Sequence, residues 1–335
     1  MPSLDDVLDA EVARCGFTGV IRVDRAGTTE LARAYGFADR AHEIANTVDT
    51  PFATASGTKG FTALAVMALV ERGTLELSTT ARSVLGDDLP LIADDVTVEH
   101  LLAHRSGIGD YLDEGVAGNH ITDYVLRVPV HELETTEQYL AVLDGHPTAF
   151  AADARFAYCN GGYVVLALIA ERAAAVGFHD LVRTLVWEPA GLADTAFLRS
   201  DELPGRAARH YLGRDGLRTN VLHLPVLGSG DGGAYTTAAD LHALWAALFA
   251  GRILPLERVA QMTRPRSDWP EEHERYGLGL HLHETGESVW LEGYDAGVSM
   301  LSHHDPVSGD TWTVLSNWSD GAWPIVSLLN RALVG

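Results

Sequence analysis

The stretch "PFATASGTKGFTALAVMAL", residues 51–69, contains Lys59, the single lysine among the 24 lysine and arginine residues of this 335-residue chain. Arginine can serve any position that needs only positive charge, whereas lysine can lose its proton when it is desolvated. A codon bias that removes lysines and spares one by chance would give the same count. A base role for Lys59 is therefore a hypothesis that its neighbours must support.

Ser56 lies three residues before Lys59, where the apolar residues change to helical spacing. Side chains three apart on a helix lie on the same face, about one turn from each other. A neutral lysine could take the proton of the hydroxyl, and the helix N-terminus would stabilise the alkoxide that forms. This spacing also arises by chance, so the pair alone is weak evidence for a nucleophile and its base.

The composition excludes several kinds of partner. With 46 acidic and 24 basic residues the net charge is −22, which would repel nucleic acid and anionic membranes. The acidic start and the lack of a long apolar run lead us to expect a soluble, cytoplasmic protein. Cys15 and Cys159 predict no disulfide framework.

Strand patterns occur at both ends of the chain, with helical patterns between them. Hairpin-type connections predict an α+β fold, in which helices flank a mainly antiparallel sheet assembled from both termini, with an all-α domain inserted. We place the sheet domain at 1–80 and 230–335, the helical domain at 81–229, and the active site at their interface. No strand is predicted between about 80 and 220, and a helix with Thr236 or Thr237 as its cap is predicted after 235.

A second motif occurs in "RFAYCNGGYVVLALIAER", where Tyr158 and Asn160 precede a long apolar helix. On a tight turn into that helix both side chains could point into a cleft, where the phenol could relay protons and the amide could hold a substrate carbonyl and the lysine. A core tyrosine followed by an asparagine N-cap explains the same residues without any chemistry.

Together these motifs resemble the penicillin-binding protein and β-lactamase superfamily, for which Ser-x-x-Lys is a signature. Tyr-x-Asn as the second motif is similar to its class C β-lactamase, DD-peptidase and esterase branch. Further similar segments follow in the expected order: "VTVEHLLAHRSGIGDY", "VWEPAGLADTAF", "GSGDGGAYTTAADLHALWAALFAG" and "RYGLGLHL". The resemblance covers about residues 18–317 and implies an α/β domain from both termini, a helical insertion and a site between them.

The resemblance implies a role for each motif residue. Ser56 would be the acylated nucleophile, Lys59 the activating base, Tyr158 the proton relay and Asn160 a positioning group, with the Ser56 N–H as half of an oxyanion hole.

The third motif departs from the family pattern of Lys-Thr-Gly or His-x-Gly. We match "LEGYDAGVSMLS" to it by placing Tyr294, Asp295 and Ala296 there, although the register is open to a shift of one residue. Gly297 or Val298 would then supply the second oxyanion N–H. Unless Asp295 turns outward or pairs with an arginine, its charge would disfavour anionic substrates such as penicillins.

The sequence thus predicts a serine hydrolase that forms an acyl-enzyme on Ser56 and cleaves a small ester or amide as an esterase, amidase or D-amino-acid peptidase, with poor β-lactamase activity. The alternatives are an acyltransferase or thioesterase-like enzyme that passes the acyl group to an amine, and a non-catalytic ligand-binding or sensor protein of the same fold. No cofactor is expected, and the oligomeric state is left open.

Other candidate residues are interpreted structurally. His104 and Ser106 are expected to bond the backbone of a glycine turn. His281 and His283 share one face of a strand, but no further ligands occur at a recognisable spacing, so no metal site is predicted. Cys159 is expected to be a small buried side chain rather than a nucleophile.

Overall fold

The computed structural model describes residues 4–112 and 121–334. Its strands are β1 Gly19–Arg25, β2 Thr28–Tyr35, β3 Phe37–Asp39, β4 Ile44–Ala45, β5 Phe52–Ala53, β6 Ala196–Phe197, β7 Ala234–Thr236, β8 Ser267–Trp269, β9 Glu274–Tyr276, β10 His281–His283, β11 Val289–Asp295, β12 Val298–His304 and β13 Thr311–Ser316. Eight of these strands form the main antiparallel sheet, in the order β2-β1-β13-β12-β11-β10-β9-β8. The pairing of β1 with β13 joins the two ends of the chain in one sheet, which confirms the predicted fold class.

The helices flank this sheet and fill the middle of the chain. They are α1 Leu4–Cys15, α2 Thr58–Glu71, α3 Ala81–Leu85, α4 Val98–Leu102, α5 Leu140–Leu143, α6 Asn160–Ala174, α7 Phe178–Val182, α8 Glu188–Ala190, α9 Ala238–Phe249, α10 Leu256–Met262 and α11 Trp323–Leu329. A π-helical segment, Arg183–Trp187, joins α7 to α8. Short 3-10 turns occur at Ala55–Gly57, Val130–Glu132, Thr136–Tyr139 and Pro270–Glu272.

The start of α9 and the end of α2 are set by single residues, and the first was predicted from the sequence. Thr237 caps α9 by accepting a hydrogen bond from the Asp240 N–H, which selects it over Thr236. After α2 the chain passes through Gly73 at φ +73°, a left-handed conformation that glycine adopts without steric cost.

One expectation about the middle of the chain is wrong. The two-residue strand β6 lies at 196–197 and pairs with β7, which also pairs with β5 to give a three-stranded sheet. Two residues are too few to show a strand periodicity, so the pattern could not reveal them. The domain boundaries at 80/81 and 229/230 remain predictions.

The main core contains buried residues of α2, α6 and α9; α2 packs against α6, and α9 packs against the sheet. Both α2 and α6 are buried over nearly their whole length, and the fully buried Phe61 of α2, Tyr163 of α6 and Trp245 of α9 are among the largest core side chains. A second cluster lies on the other face of the sheet, beneath α1 and α11. The sheet and α2, packed by these two clusters, form a rigid support for the short turn Ala55–Gly57.

Within the described ranges no single helix is both long and apolar enough to cross a membrane. One bent pair, Asn160–Ala174 with Phe178–Ala190, satisfies both criteria when its two helices are taken together.

Candidate active site

Ser56 occupies the 3-10 turn Ala55–Gly57 between β5 and α2, which we call the nucleophile turn after the role expected of Ser56. The preceding residue, Ala55, has φ +43°, a left-handed conformation that costs a non-glycine residue about 1–3 kcal/mol. Hydrogen bonds hold this shape: the Thr54 N–H donates to the Ala234 carbonyl at 2.8 Å and the Gly57 N–H donates to the Thr54 carbonyl at 2.8 Å. The strained turn presents Ser56 half-buried at the start of α2.

Lys59 points back along α2 to the serine. Its Nζ lies 2.8 Å from Ser56 Oγ, 2.8 Å from Asn160 Oδ1 and 2.8 Å from the Asp231 carbonyl oxygen, and only 2% of the residue is exposed. A buried amine whose three partners leave it one orientation is held at hydrogen-bond distance from the hydroxyl. The structure therefore brings together Ser56, Lys59 and Asn160.

Tyr158 reaches the same amine from the loop before α6. Lys59 Nζ lies 4.9 Å from the centre of the Tyr158 ring and 5.8 Å from that of Tyr163. Cys159 lies between Tyr158 and Asn160, is buried, and caps α6 through its Sγ, which accepts the Gly162 N–H at 3.3 Å. The asparagine is thus not the N-cap of the helix.

Asn160 is fixed on both sides of its amide. Its Oδ1 accepts from Lys59 while its Nδ2 donates to the Leu112 carbonyl at 3.0 Å.

Burial raises the pKa of the neighbouring Cys159 thiol well above its usual value, which leaves Cys159 protonated and unsuited to be a nucleophile.

His104 positions the loop that carries Tyr158. Its Nδ1 accepts the Cys159 N–H at 3.1 Å, and its ring centre lies 4.3 Å from that of Tyr158. Burial lowers the pKa of His104 well below its usual value, so the imidazole is neutral and can accept at Nδ1. His104 thus bonds backbone, as expected, but its side chain bonds the loop before α6 and not the glycine turn that the sequence predicted.

Two acidic residues of the site were missed in the sequence. Asp110 Oδ2 accepts the Asn160 N–H at 2.6 Å and its Oδ1 accepts the Gly161 N–H at 2.8 Å, at the N-terminus of α6. Asp231 supplies its carbonyl oxygen to Lys59, while its Oδ2 accepts from the Tyr111 hydroxyl. Each follows a glycine turn, "SGIGD" or "GSGD", a signal that could have drawn attention to both.

Burial raises the pKa of the Asp110 carboxyl from its usual value near 3.8 to about 6, although backbone N–H groups of Gly161, Asn160 and Leu112 act against that rise. The nearby charge of Asp231 adds to the increase. The charge state of Asp110 therefore changes in the pH range where most enzymes work.

The third-motif residues lie at the end of β11 and the start of β12. Tyr294 and Asp295 end β11, Ala296 and Gly297 form the turn, and Val298 begins β12. Of the two residues expected to supply the second oxyanion N–H, Gly297 donates its N–H to Ser319 Oγ at 2.8 Å instead. The Ala296 carbonyl accepts from Asn220 Nδ2 at 2.9 Å, so this turn is tied to the loops behind it.

The close approach of β11 to the nucleophile turn occurs at Gly293. A Cβ added there would lie 2.0 Å from the Thr54 carbonyl oxygen, so only glycine permits this contact. The residues that flank Gly293, Glu292 and Tyr294, both line a groove that contains Ser56. Glu292 was not among the predicted site residues, because the sequence alignment placed the motif nearer the turn.

Two depressions meet at Ser56. The first, the apolar pocket, is lined by Ala53, Tyr111, Leu198, Val226, Tyr235 and Val298, and Asp295 also borders it. The second, the acidic groove, is lined by Tyr158, Trp269, Glu272, His281, Glu292 and Tyr294. Asp295 is half-buried, and its Oδ1 accepts the N–H of Ala296 at 2.8 Å.

The histidines considered as metal ligands are engaged by other groups. His281 Nδ1 pairs with Glu274 Oε2 at 2.9 Å, and His283 Nδ1 accepts the Gly286 N–H at 2.8 Å. In the part of the chain that the structure describes, no three His, Cys, Asp or Glu side chains form a group that could hold a metal ion.

Comparison with known proteins agrees with this geometry. The Beta-lactamase family model matches residues 4–327. A penicillin-binding protein from Bacillus halodurans has a similar solved structure, with a TM-score of 0.90, 31% identity, and coverage of 97% of this chain and 100% of that one.

Two curated relatives are also similar. Esterase EstB of Burkholderia gladioli is 33% identical over 217 residues, which are 62% of this chain and 54% of the esterase. A D-aminopeptidase of Brucella anthropi is 26% identical over 288 residues, 80% of this chain and 49% of that protein. The chain thus spans about half the length of these relatives. Because the family model extends over nearly all of the described residues and the structural match covers 97% of the chain, this protein belongs to the Beta-lactamase family.

Proposed function

We propose that the protein is a serine hydrolase that forms an acyl-enzyme on Ser56 and cleaves a small ester or amide. The observation that carries the proposal is the 2.8 Å separation of Ser56 Oγ from the buried Lys59 Nζ. One similar protein is named as an esterase and another as a D-aminopeptidase, and these names support an ester bond and an amide bond as the bond that is cleaved.

In the first step, neutral Lys59 takes the proton of the Ser56 hydroxyl as Oγ bonds to the substrate carbonyl carbon. The carbonyl oxygen becomes an oxyanion in the tetrahedral intermediate. When that intermediate collapses, the bond to the leaving group breaks, and the leaving group takes a proton that reaches it from Lys59 through the Tyr158 phenol. Water then attacks the acyl carbon and gives up a proton through Tyr158 to Lys59; the bond from the acyl carbon to Oγ breaks, Oγ takes that proton from Lys59, and the acid is released.

The register of the third-motif hairpin supports Tyr294 as the second oxyanion donor, beside the Ser56 N–H. Asp295 and Val298 flank a two-residue turn and form a hydrogen-bonded pair. Because pair types alternate along an antiparallel ladder, the next pair, Tyr294 with Ser299, is a non-hydrogen-bonded pair. The Tyr294 N–H then points away from β12, toward the edge of β11 that β10 leaves uncovered, since β10 pairs only at 289 and 290.

Poor activity on penicillins is part of the proposal. The groove beside Tyr158 carries Glu272 and Glu292, so a substrate carboxylate would meet negative charge there. Two like charges about 4 Å apart repel by roughly 4 kcal/mol at an effective dielectric constant near 20. We expect p-nitrophenyl butyrate to be hydrolysed and nitrocefin to be cleaved slowly or not at all.

Intact-mass spectrometry with a fluorophosphonate tests the nucleophile. The wild-type protein should gain one phosphonyl group and lose esterase activity in proportion, while Ser56→Ala should gain none. A matched control is Ser308→Ala, which removes an exposed hydroxyl on the β12–β13 turn and should label like the wild type. Labelling that persists in Ser56→Ala would contradict the assignment of Ser56.

A further inference from the structure

The acidic groove lies on the leaving-group side of Ser56 if the proposed function holds. Tyr158 lines this groove and is absent from the residues that line the apolar pocket. Because the proposed proton relay must reach the leaving group, that group has to lie beside Tyr158. The acyl chain then occupies the apolar pocket on the other side of the serine.

Glu292 places a carboxylate in this groove whose nearest counter-charge, His281, is shared with Glu274. It lies on β11 two residues before Tyr294, so the two side chains share one face of the strand. Its side chain makes no hydrogen bond or salt bridge with any residue in 4–112 or 121–334. Burial raises the pKa of Glu292, which is the response of a carboxyl that lacks a full counter-charge.

The surrounding charges leave the groove negative. Glu274 is bonded to His281 at 2.9 Å, and this contact favours the protonated imidazole, which offsets one carboxylate. Glu272, on the 3-10 turn Pro270–Glu272, adds a further exposed carboxylate. Among the described residues that border the groove, Arg155 carries the guanidinium, and it is stacked on Phe150 at 4.2 Å.

Aromatic rings stand next to these carboxylates. The Trp269 ring is stacked with that of Tyr158, with centres 6.2 Å apart and planes at 23°, and with His281 at 6.2 Å and 26°. A ring face combined with nearby carboxylates is a favourable environment for an ammonium ion, above all a quaternary one that cannot donate hydrogen bonds.

We propose that Glu292, with Trp269 and Glu272, selects substrates whose leaving group is a cation, such as the ester of an amino alcohol. Glu292 is then a specificity-determining residue that contacts the departing group. The ammonium lies against the Trp269 ring and the two carboxylates while the acyl chain lies in the apolar pocket. On cleavage the alcohol leaves with the proton delivered through Tyr158.

A matched pair of esters tests this inference. 2-(Trimethylammonio)ethyl butyrate and 3,3-dimethylbutyl butyrate have the same shape and differ in one charge. We expect kcat/KM to be about tenfold or more higher for the cationic ester in the wild-type protein. Glu292→Gln should bring the ratio near one and Glu272→Gln should lower it, while Glu271→Gln, a neighbouring exposed carboxylate that does not line the groove, should leave it unchanged.

Binding to Ser56→Ala gives a second readout that does not need turnover. Calorimetric titration should show tighter binding of the cationic ester than of the neutral one, and Ser56→Ala with Glu292→Gln should bind both equally. Equal affinities in Ser56→Ala, or a charge preference that survives Glu292→Gln, would overturn the inference.

Hydrolysis of p-nitrophenyl butyrate separates this inference from the proposed function. If that ester is turned over in a Ser56-dependent way while the two butyrates react equally, the serine hydrolase stands and the cation preference falls. If no ester acylates Ser56, the proposed function fails and the leaving-group assignment fails with it.

Discussion

The Asp110 carboxylate and the Asn160 backbone N–H are 2.6 Å apart, and this contact connects the glycine turn after α4 to the side chain that holds Lys59. Asp110 touches neither Ser56 nor Lys59 by any hydrogen bond in the described ranges. Its two oxygens instead fix the first turn of α6, whose first residue presents Oδ1 to the amine. The position of Lys59, the proposed base, is therefore set by a carboxylate that reaches it only through Asn160.

Lys59→Arg should lower kcat by about 10²–10⁴-fold, because a guanidinium keeps the charge but does not lose its proton at any working pH. Steady-state hydrolysis of p-nitrophenyl butyrate measures the effect. Circular dichroism and thermal unfolding of the same sample establish that the variant is folded. Near-normal turnover by a folded Lys59→Arg protein would refute the base assignment.

Asp110→Asn should reduce kcat/KM by about tenfold or more at pH 8, since the amide has only one acceptor oxygen for the two N–H groups of Asn160 and Gly161. The wild-type rate should also decline as the pH falls through about 6, where Asp110 becomes protonated and loses acceptor capacity. The measurement is kcat/KM from pH 5 to 9. An acid limb near pH 6 that is identical in Asp110→Asn would exclude Asp110 as its source.

The same carboxyl predicts a pH dependence of stability with the opposite sign. The pKa of Asp110 in the folded protein, about 6, exceeds its usual value of 3.8, so the folded state binds the proton more tightly than the unfolded state. The contribution of this group is fully present below pH 3.8 and is lost as the pH rises through about 6. A rise of this size corresponds to about 3 kcal/mol.

Urea unfolding of wild type and Asp110→Asn at several pH values between 4 and 8 checks the sign. The free energy of unfolding of the wild type minus that of the variant should decrease as the pH rises across this range. A difference that grows with pH would mean that the hydrogen bonds of the ionised form outweigh its burial.

The sequence revealed the residues whose chemistry is local. Ser56 and Lys59 are linked by helical spacing, so the Ser-x-x-Lys contact could be predicted from one segment, and the alternation of β11 to β13 predicted the sheet. Asp110 and the carbonyl of Asp231 act through contacts between segments far apart in the chain, and a carbonyl oxygen leaves no mark on the residue type. Their roles follow from tertiary structure alone.

The third motif was matched to the wrong part of the β11–β12 hairpin. The sequence match followed the Gly-Val of "DAGVSML", whereas the contact with the nucleophile turn is made by Gly293, four residues earlier. Glycines occur at both 293 and 297, and the backbone approach to Thr54 belongs to Gly293, whereas Gly297 is required by a φ of +80° in the turn. Glu292 therefore escaped notice, although it lies in the groove beside Ser56.

Gly293→Ala tests whether this approach matters for catalysis. The added Cβ would lie 2.0 Å from the Thr54 carbonyl oxygen, so β11 and the nucleophile turn must separate. We expect a loss of about 1–3 kcal/mol of stability. The proposed Tyr294 donor would move away from the oxyanion, which should reduce kcat by about 10²-fold or more with a smaller change in KM.

Gly205→Ala is the matched control, because a Cβ at that position meets no atom within 4 Å and its φ is not positive. Its kcat and its free energy of unfolding should stay close to those of the wild type. If Gly293→Ala loses stability but retains full kcat on p-nitrophenyl butyrate, β11 supports the fold without contributing to the oxyanion site. The Tyr294 N–H would then have no part in catalysis.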